Sequence, residues 1–351
     1  MRFSISYGNG AAMGFALDVV KQIVEHRSAE IAEPIVDRWL FGEGKPMFLP
    51  AARALESIAR LIENQAEYDH VDSLLDERSR NLLGHIITYR ALGPARYALP
   101  LSTPEYIKGY SKASKYRAGP SEQVFPPFPF EKFKVEHGRH TIELSAWLGN
   151  IVATFILRQY YLEAPRRIQV EEGDVAIDAG GCFGDTALSF AASVGKRGRV
   201  FSFDPLPAHQ KVMRSNFARN PRLAERIEIV PHALSQHAGE IVRLSNKGAG
   251  SRMMDDGEIE AKTDTIDQLV ERKGLKQVNF IKMDIEGAER LALVGARNTI
   301  AKHKPKLAIS GYHSDDDLII IPMLIKRLHP EYEIHIEHYT NCEWETVVYA
   351  A

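Results

Sequence analysis

One stretch constrains the fold more than any other. It is Val175-Ala-Ile-Asp-Ala-Gly-Gly-Cys-Phe-Gly-Asp-Thr-Ala-Leu188. Val175 to Ile177 are apolar and bounded by Gly173 and Gly180, which suits a short parallel strand buried on both faces. Gly180, Gly181 and Gly184 remove side chains where a turn must be tight and where a ligand must touch backbone. Asp185 and Thr186 are good N-caps for an apolar helix over 187–194. A buried strand ending in such a turn forms the floor of a nucleotide-like cofactor site.

Two cofactors compete for that floor. Ala179-x-Gly181-x-x-Gly184 nearly matches the dinucleotide fingerprint, with alanine in the first glycine position. Asp178-x-Gly180-x-x-x-Gly184 instead matches the acidic residue and glycine loop of class I methyltransferases that use S-adenosylmethionine. A carboxylate at Asp178 would repel a pyrophosphate and attract the ammonium and sulfonium of S-adenosylmethionine, or the waters between them. Asp204, at the end of the next strand, fits either cofactor, because both present ribose hydroxyls there.

The 351 residues suggest two domains or three. A net charge of −2 gives no general attraction to nucleic acid or to an anionic membrane. The two cysteines, Cys182 and Cys342, do not suggest a structural disulfide, since one sits in the glycine loop, and a reducing compartment follows. No apolar run reaches the ~18 residues of a membrane span. Gly8, Asn9 and Gly10 interrupt the N-terminal stretch, so no signal peptide is expected. These points together predict a cytoplasmic protein.

Residues 11–90 read as helices. Phe15, Val19, Val20, Ile23 and Val24 form one apolar series, and Ile31, Ile35 and Trp39 a second. Leu55, Ile58, Leu61 and Ile62 begin a third, and Asp76 or Ser79 starts a fourth. We divide the chain into a helical N-terminal domain (1–100), a connector with an acceptor-side or lid role (101–165) and a catalytic domain (166–351). Within the connector, Tyr106, Tyr110, Lys108, Lys112, Lys115 and Arg117 interleave aromatics with cations. They make either a solvated basic face or a surface that borders an acceptor. Gly138 sits at the centre of an expected hairpin over 134–144, and 148–162 is apolar enough to be a helix. From 166 on, strands at 175–179, 200–203, 227–230, 280–283 and 307–310 alternate with helices at 187–194, 208–219, 265–273, 287–302 and 316–328. Such alternation implies a largely parallel sheet covered on both faces. Two last strands, 333–338 and 346–349, lie close enough to be an antiparallel hairpin, which the usual dinucleotide domain lacks.

Phe280-Ile-Lys-Met-Asp-Ile-Glu-Gly-Ala-Glu289 is the second informative stretch. It places Asp284 and Glu286 at the carboxyl end of a buried strand, where open parallel sheets bind ligands. Paired carboxylates there can bind an ammonium, take a proton from a hydroxyl or hold a metal. Glu289 reads instead as a carboxylate stabilising a helix start, and the same helix should keep Glu286 ionised. His313 follows the next strand on the same edge and is a candidate base. His335-x-x-His338 lies on a strand, where the two rings point to opposite faces, so no metal set is expected.

Taken in order, these motifs resemble the FkbM family of S-adenosylmethionine-dependent methyltransferases over 166–351. The matching runs are Ile177-Asp-Ala-Gly-Gly-Cys-Phe-Gly-Asp-Thr186, Phe203-Asp-Pro-Leu-Pro207 with Asn216, Ala233-Leu-Ser235, Lys282-Met-Asp-Ile-Glu-Gly287, Tyr312-His313 and the tail from His338 to Val347. Cys182 stands where many members have asparagine, and Asp204 where glutamate is commoner. The resemblance implies a Rossmann-like α/β sheet of the class I methyltransferase type behind a mainly helical N-terminal domain. It implies methyl transfer from S-adenosylmethionine to a hydroxyl of a sugar, glycan or secondary metabolite. The implied cofactor contacts are Asp178, Gly180, Gly181, Cys182, Phe183, Gly184, Asp204, Pro205, His232, Ala233 and Asp284, and the implied catalytic candidates are Glu286, His313 and Asp284. Nucleic acid and membrane are not expected partners; self-association through the helical region is. A catalytically silent binding protein on the same fold, or a nicotinamide-dependent oxidoreductase, are the alternatives.

Overall fold

A computed structural model describes residues 14–28, 48–101, 103–245 and 250–351. The chain divides into two compact units, 1–102 with 341–343, and 103–340 with 344–351. The apolar series Ile31, Ile35 and Trp39 lies outside the described residues.

The described part of the first unit holds the helices Phe15–Ser28, Ala51–Glu63, Gln65–Leu74 and Glu77–Leu92. Their core is Val19, Ile23, Leu61, Val71, Leu83 and Ile86, all buried. Of the two starts considered for the last helix, Asp76 is the cap: its carboxylate accepts from Ser79 N at 3.0 Å, which satisfies a donor the helix leaves orphaned.

The second unit is built on a seven-stranded sheet. Its strands are β4 (Val175–Ala179), β5 (Arg199–Phe203), β6 (Ile227–Val230), β10 (Phe280–Met283), β11 (Lys306–Ser310), β12 (Ile334–His338) and β13 (Thr346–Ala350). The order is β12-β13-β11-β10-β4-β5-β6. Neighbours from β6 to β11 are parallel, and β13 runs antiparallel between β11 and β12. The expected C-terminal hairpin is therefore present, inserted so that its second strand is interior. β10 and β4 pair in register Lys282↔Asp178, which brings every ligand-facing carboxyl end in the middle of the sheet to one edge.

Four differences from the sequence reading matter to the site. The stretch 148–162 is not one helix: Leu148–Ile151 runs into a π-helical turn, Val152–Ile156, and Arg158 and Tyr160 then adopt left-handed φ of 55° and 74°. The helix expected over 287–302 is two, Glu289–Val294 and Arg297–His303. Gly295 separates them, and a Cβ there would come within 2.2 Å of Ser235 O. A small sheet of β7 (Ala233–Leu234), β8 (Ile241–Leu244) and β9 (Ile259–Asp264) was not anticipated. The stretch 101–165, expected as a connector, holds the helix Thr103–Ser114 and the antiparallel sheet β1 (Arg117–Pro120), β2 (Phe130–His137), β3 (His140–Trp147), and all of it from 103 on belongs to the larger unit.

That sheet is fastened to the catalytic domain by asparagines. Asn216 exchanges two hydrogen bonds with Ser145, N–H to Oδ1 at 2.8 Å and Nδ2 to O at 2.9 Å. Asn220, one helical turn on, does the same with Glu143 at 3.1 and 2.7 Å.

Candidate active site

The glycine loop follows β4. Gly180 and Gly184 have φ of 85° and 80°, in the region that favours glycine. A Cβ on Gly180 would lie 1.8 Å from Asp284 O, so this glycine is required by the approach of the strand beside it. The N–H groups of Gly180 and Gly181 both donate to Phe203 O at 2.9 Å, which folds the loop over β5. Phe183 is fully buried and sits edge-on to Phe125, Phe130 and Trp147, with centroids 4.9, 4.9 and 5.1 Å away. It is packing rather than a cofactor-facing side chain.

Two acidic residues expected to face the cofactor are occupied by the protein. Asp178 is fully buried, ion-pairs with Lys282 Nζ at 3.1 Å and accepts from Ser202 Oγ at 2.7 Å. Contrary to the sequence expectation, it therefore balances a buried lysine and not a cofactor ammonium. Lys282 also donates to Ala179 O and Gly180 O at 3.0 and 2.7 Å. Burial alone would lower its pKa, but Asp178 and Asp284 raise it. Asp204 accepts from Cys182 N (2.8 Å), Leu206 N (2.9 Å) and His209 Nδ1 (2.9 Å). Its carboxylate is 5% exposed and pins the loop to the turn before helix Pro207–Arg219. Pro205 lies in that turn. Ala233 is buried in β7, and His232, just before it, is half-buried.

The carboxyl end of β10 is different. Asp284 accepts from Tyr160 OH at 2.7 Å and Tyr312 OH at 3.0 Å. Burial works against its charge, yet His313 and Lys282 hold it below the usual carboxylate range. Glu286 has φ of 56°, and burial followed by the charge of Asp284 pushes its pKa up to about 7. The sequence expectation that a helix N-terminus keeps it firmly ionised is thus overturned: the helix begins only at Glu289, and desolvation wins. Glu289 does cap the turn, accepting from Ile285 N and Gly287 N at 2.7 and 3.0 Å. It also faces His313 Nδ1 at 3.1 Å. The other ring nitrogen, Nε2, lies 3.4 Å from Asp284 Oδ1 and 3.6 Å from Glu286 Oε2. Burial alone would lower the imidazole pKa, but Glu289, Asp284 and Glu286 raise it to about 10. Glu345, with φ of 64°, accepts from Gln159 and is pushed up to about 7, by burial first and then by Asp284.

Glu286, His313 and Asp284 are thus brought together. Tyr160, Tyr312, Glu345, Glu289 and Lys282 join them and were not assigned to the site from sequence. Tyr160, Cys182, Glu286 and Glu345 all hold left-handed φ, a strain that non-glycine residues keep where the surroundings fix them, commonly at functional sites. The basic helix Thr103–Ser114 reads differently: Tyr106 is buried against Tyr110 (5.3 Å), Lys108 and Lys112 are exposed, and Arg117 pairs with Glu131 at 2.9 Å. Asp284, Glu289 and His313 each bring a potential metal-ligand atom within 4.8 Å of the others.

Residues 178–343 match the family profile of the methyltransferase FkbM domain. Over those residues the chain is similar to a methyltransferase FkbM domain. The crystal structure of methyltransferase FkbM from Methylobacillus flagellatus KT is similar, with a TM-score of 0.53 and 22% identity over 84% of this chain and 60% of that one. The chain thus spans 60% of that protein's length, and the likeness is one of fold. A weaker likeness is to fibrillarin from Aeropyrum pernix in complex with natively bound S-adenosyl-L-methionine, with a TM-score of 0.39 and 13% identity over 66% of this chain and 85% of that one. No curated protein matches. The matched residues accordingly have the Rossmann-like class I methyltransferase fold that the motifs implied, with helices ahead of them. Among the described residues no helix is long and apolar enough to cross a membrane.

Proposed function

We propose that the protein transfers a methyl group from S-adenosylmethionine to a hydroxyl oxygen of a sugar, glycan or secondary metabolite. The observation that carries the reading is the cluster of Glu286, His313 and Asp284 on the same sheet edge as the glycine loop. The residues also fit the cofactor. The loop turns at Gly180 and Gly184, with φ of 85° and 80°, and these positions carry no side chain beside the sheet edge. Beside it, the buried His209 gives Nδ1 to Asp204, and its Nε2 makes no hydrogen bond among the described residues. We assign Gly180, Gly181, Cys182, His209 and His232 to holding the cofactor. When bound, it supplies an electrophilic methyl group on a sulfonium.

The chain's own part is positioning and proton handling. A neutral alcohol has too high a pKa to attack well, so a base at its oxygen helps as the proton leaves. Glu286, with a pKa near 7, is suited to accept that proton. Asp284 is held ionised by its two tyrosines and by His313, so it fixes the acceptor's approach rather than exchanging protons. The strained turn at Tyr160 and the buried aromatics exclude water, which would compete for the methyl group. We further read the protein as cytoplasmic, since both cysteines are free, with no nucleic-acid or membrane partner and with self-association through the N-terminal helices.

Calorimetry with S-adenosylmethionine and with NAD, followed by measuring S-adenosylhomocysteine formation against a panel of polyhydroxylated acceptors, tests this. Binding of S-adenosylmethionine and acceptor-dependent turnover is the expected result. Binding of NAD alone would reverse the cofactor assignment, and cofactor binding without turnover on any acceptor would favour a silent binding protein.

A further inference from the structure

The arrangement around His313 is unusual for a simple ion-pair cluster. Its side chain is only 8% exposed. One edge of the ring faces Glu289, itself held by two backbone N–H groups, with Nδ1 3.1 Å from its carboxylate. Neither ring nitrogen makes a hydrogen bond among the described residues, and Nε2 is aimed between two carboxylates. Its distances to Asp284 Oδ1 and Glu286 Oε2, 3.4 and 3.6 Å, are too long for one. They are close to a different spacing. Donors bound at about 2.1 Å to a single cation, at angles between octahedral and tetrahedral, stand about 3.0–3.4 Å from one another.

We propose that His313 Nε2, Asp284 and Glu286 form a divalent-cation site, with Glu289 as the carboxylate that orients the imidazole. A carboxylate on the far nitrogen of a ligating histidine fixes its tautomer and raises its basicity. Tyr160 and Tyr312 do the equivalent for Asp284 by fixing its carboxylate through two hydrogen bonds. One imidazole and two carboxylates favour a first-row cation such as manganese or zinc over magnesium or calcium, which prefer all-oxygen sets. Three protein ligands leave positions open, as a site that takes substrate must. Resting on the methyl-transfer reading, the cation's role is to bind the acceptor hydroxyl oxygen and make its proton easier to lose. Glu286 can ligate through one oxygen and keep the other for the acceptor.

The test uses the full chain, stripped with chelator and titrated with MnCl2 in the absence of cofactor and acceptor. One saturable site is expected by calorimetry, with an imidazole-nitrogen coupling in the electron spin echo of the bound manganese. His313→Ala should abolish the coupling and weaken binding by at least 10-fold. Glu286→Gln, at a partly exposed residue whose change leaves the fold intact, should weaken binding by a similar factor. Glu289→Gln should weaken it about 10- to 100-fold while the coupling persists, which distinguishes aiming the ring from merely holding the fold. Absence of saturable binding to the wild type, or binding that survives both His313→Ala and Glu286→Gln in folded protein, would overturn the site. Neither cofactor nor acceptor is present, so a failed manganese titration leaves the methyl-transfer reading standing, and a failed cofactor titration leaves the cation site standing.

Discussion

The carboxyl ends of β4 and β10 lie side by side on one sheet edge, and each carries acidic residues, yet they are built to opposite ends. At β4 the charge is neutralised: Asp178 is matched by Lys282 and Ser202. Asp204, beyond β5, is used up by two backbone N–H groups and His209. At β10 three carboxylates crowd one imidazole, and Glu286 is left with a proton it can exchange near neutral pH. An acidic residue at a strand end therefore says little until its partners are known. A satisfied carboxylate holds the loop's shape, whereas a frustrated one is available for chemistry.

That contrast can be broken experimentally. The largest effect should come from Lys282→Met, which strands the fully buried Asp178 charge. Loss of one partner from a buried pair costs about 3–5 kcal/mol, read as a lower urea midpoint. Adding Asp178→Asn should recover most of it, and a double variant no more stable than Lys282→Met would mean the pair is not what holds β4 to β10. Next, Glu286→Gln should lower kcat by about 100-fold or more, the usual contribution of a general base, while calorimetry finds S-adenosylmethionine affinity and urea stability nearly unchanged. Full kcat would remove Glu286 from proton transfer.

A smaller effect separates burial from function. Asp185 is buried, accepts from Thr154, and is pushed up to about 6, chiefly by burial. Its folded pKa lies above the unfolded value of 3.8, so the folded state holds the proton more tightly. Its cost to stability is therefore absent at low pH and grows as pH rises through the window from about 4 to 6. Asp185→Asn should stabilise the protein by about 1–3 kcal/mol at pH 8. The gain should shrink towards zero near pH 4, measured by urea unfolding at both pH values. An equal gain at the two would show that ionisation is not the cause. The smallest effect is expected on the exposed basic face: replacing Lys108, Lys112 and Lys115 with serine should change stability by less than about 0.5 kcal/mol per site. A rise in acceptor KM in the same variant would restore the acceptor-surface reading of that helix.

The main sheet was legible because its five parallel strands are short apolar runs, four of them closed by glycine or aspartate. The small sheet was not, because β7 has two residues and β8 and β9 mix charged with apolar side chains. Glu286 and His313 were legible as members of a strand-end motif, but the charge of Glu286 was misjudged, since the break before Glu289 is set by Gly287 and not by helix propensity. Tyr160 could not be found by pattern at all. It reaches Asp284 across 124 residues of chain, from a left-handed turn in a stretch whose apolar composition reads as helix. Glu289 illustrates a different limit. Its role at the helix start was read correctly, but one side chain serves both the turn and His313, and sequence reveals only the local half.

The asparagine clasp on β3 has one more consequence. β3 is the last strand of its sheet, so its outward N–H and C=O groups would otherwise form a template on which another chain could add a strand. Asn216 and Asn220 occupy those groups with side-chain amides, spaced one helical turn apart to meet Glu143 and Ser145, two residues apart on the strand. Because the period of a strand is two, a slip of one residue would present neither pair correctly. Two side chains thus act as a counterfeit strand that both blocks aggregation at an open edge and admits only one alignment of hairpin and helix.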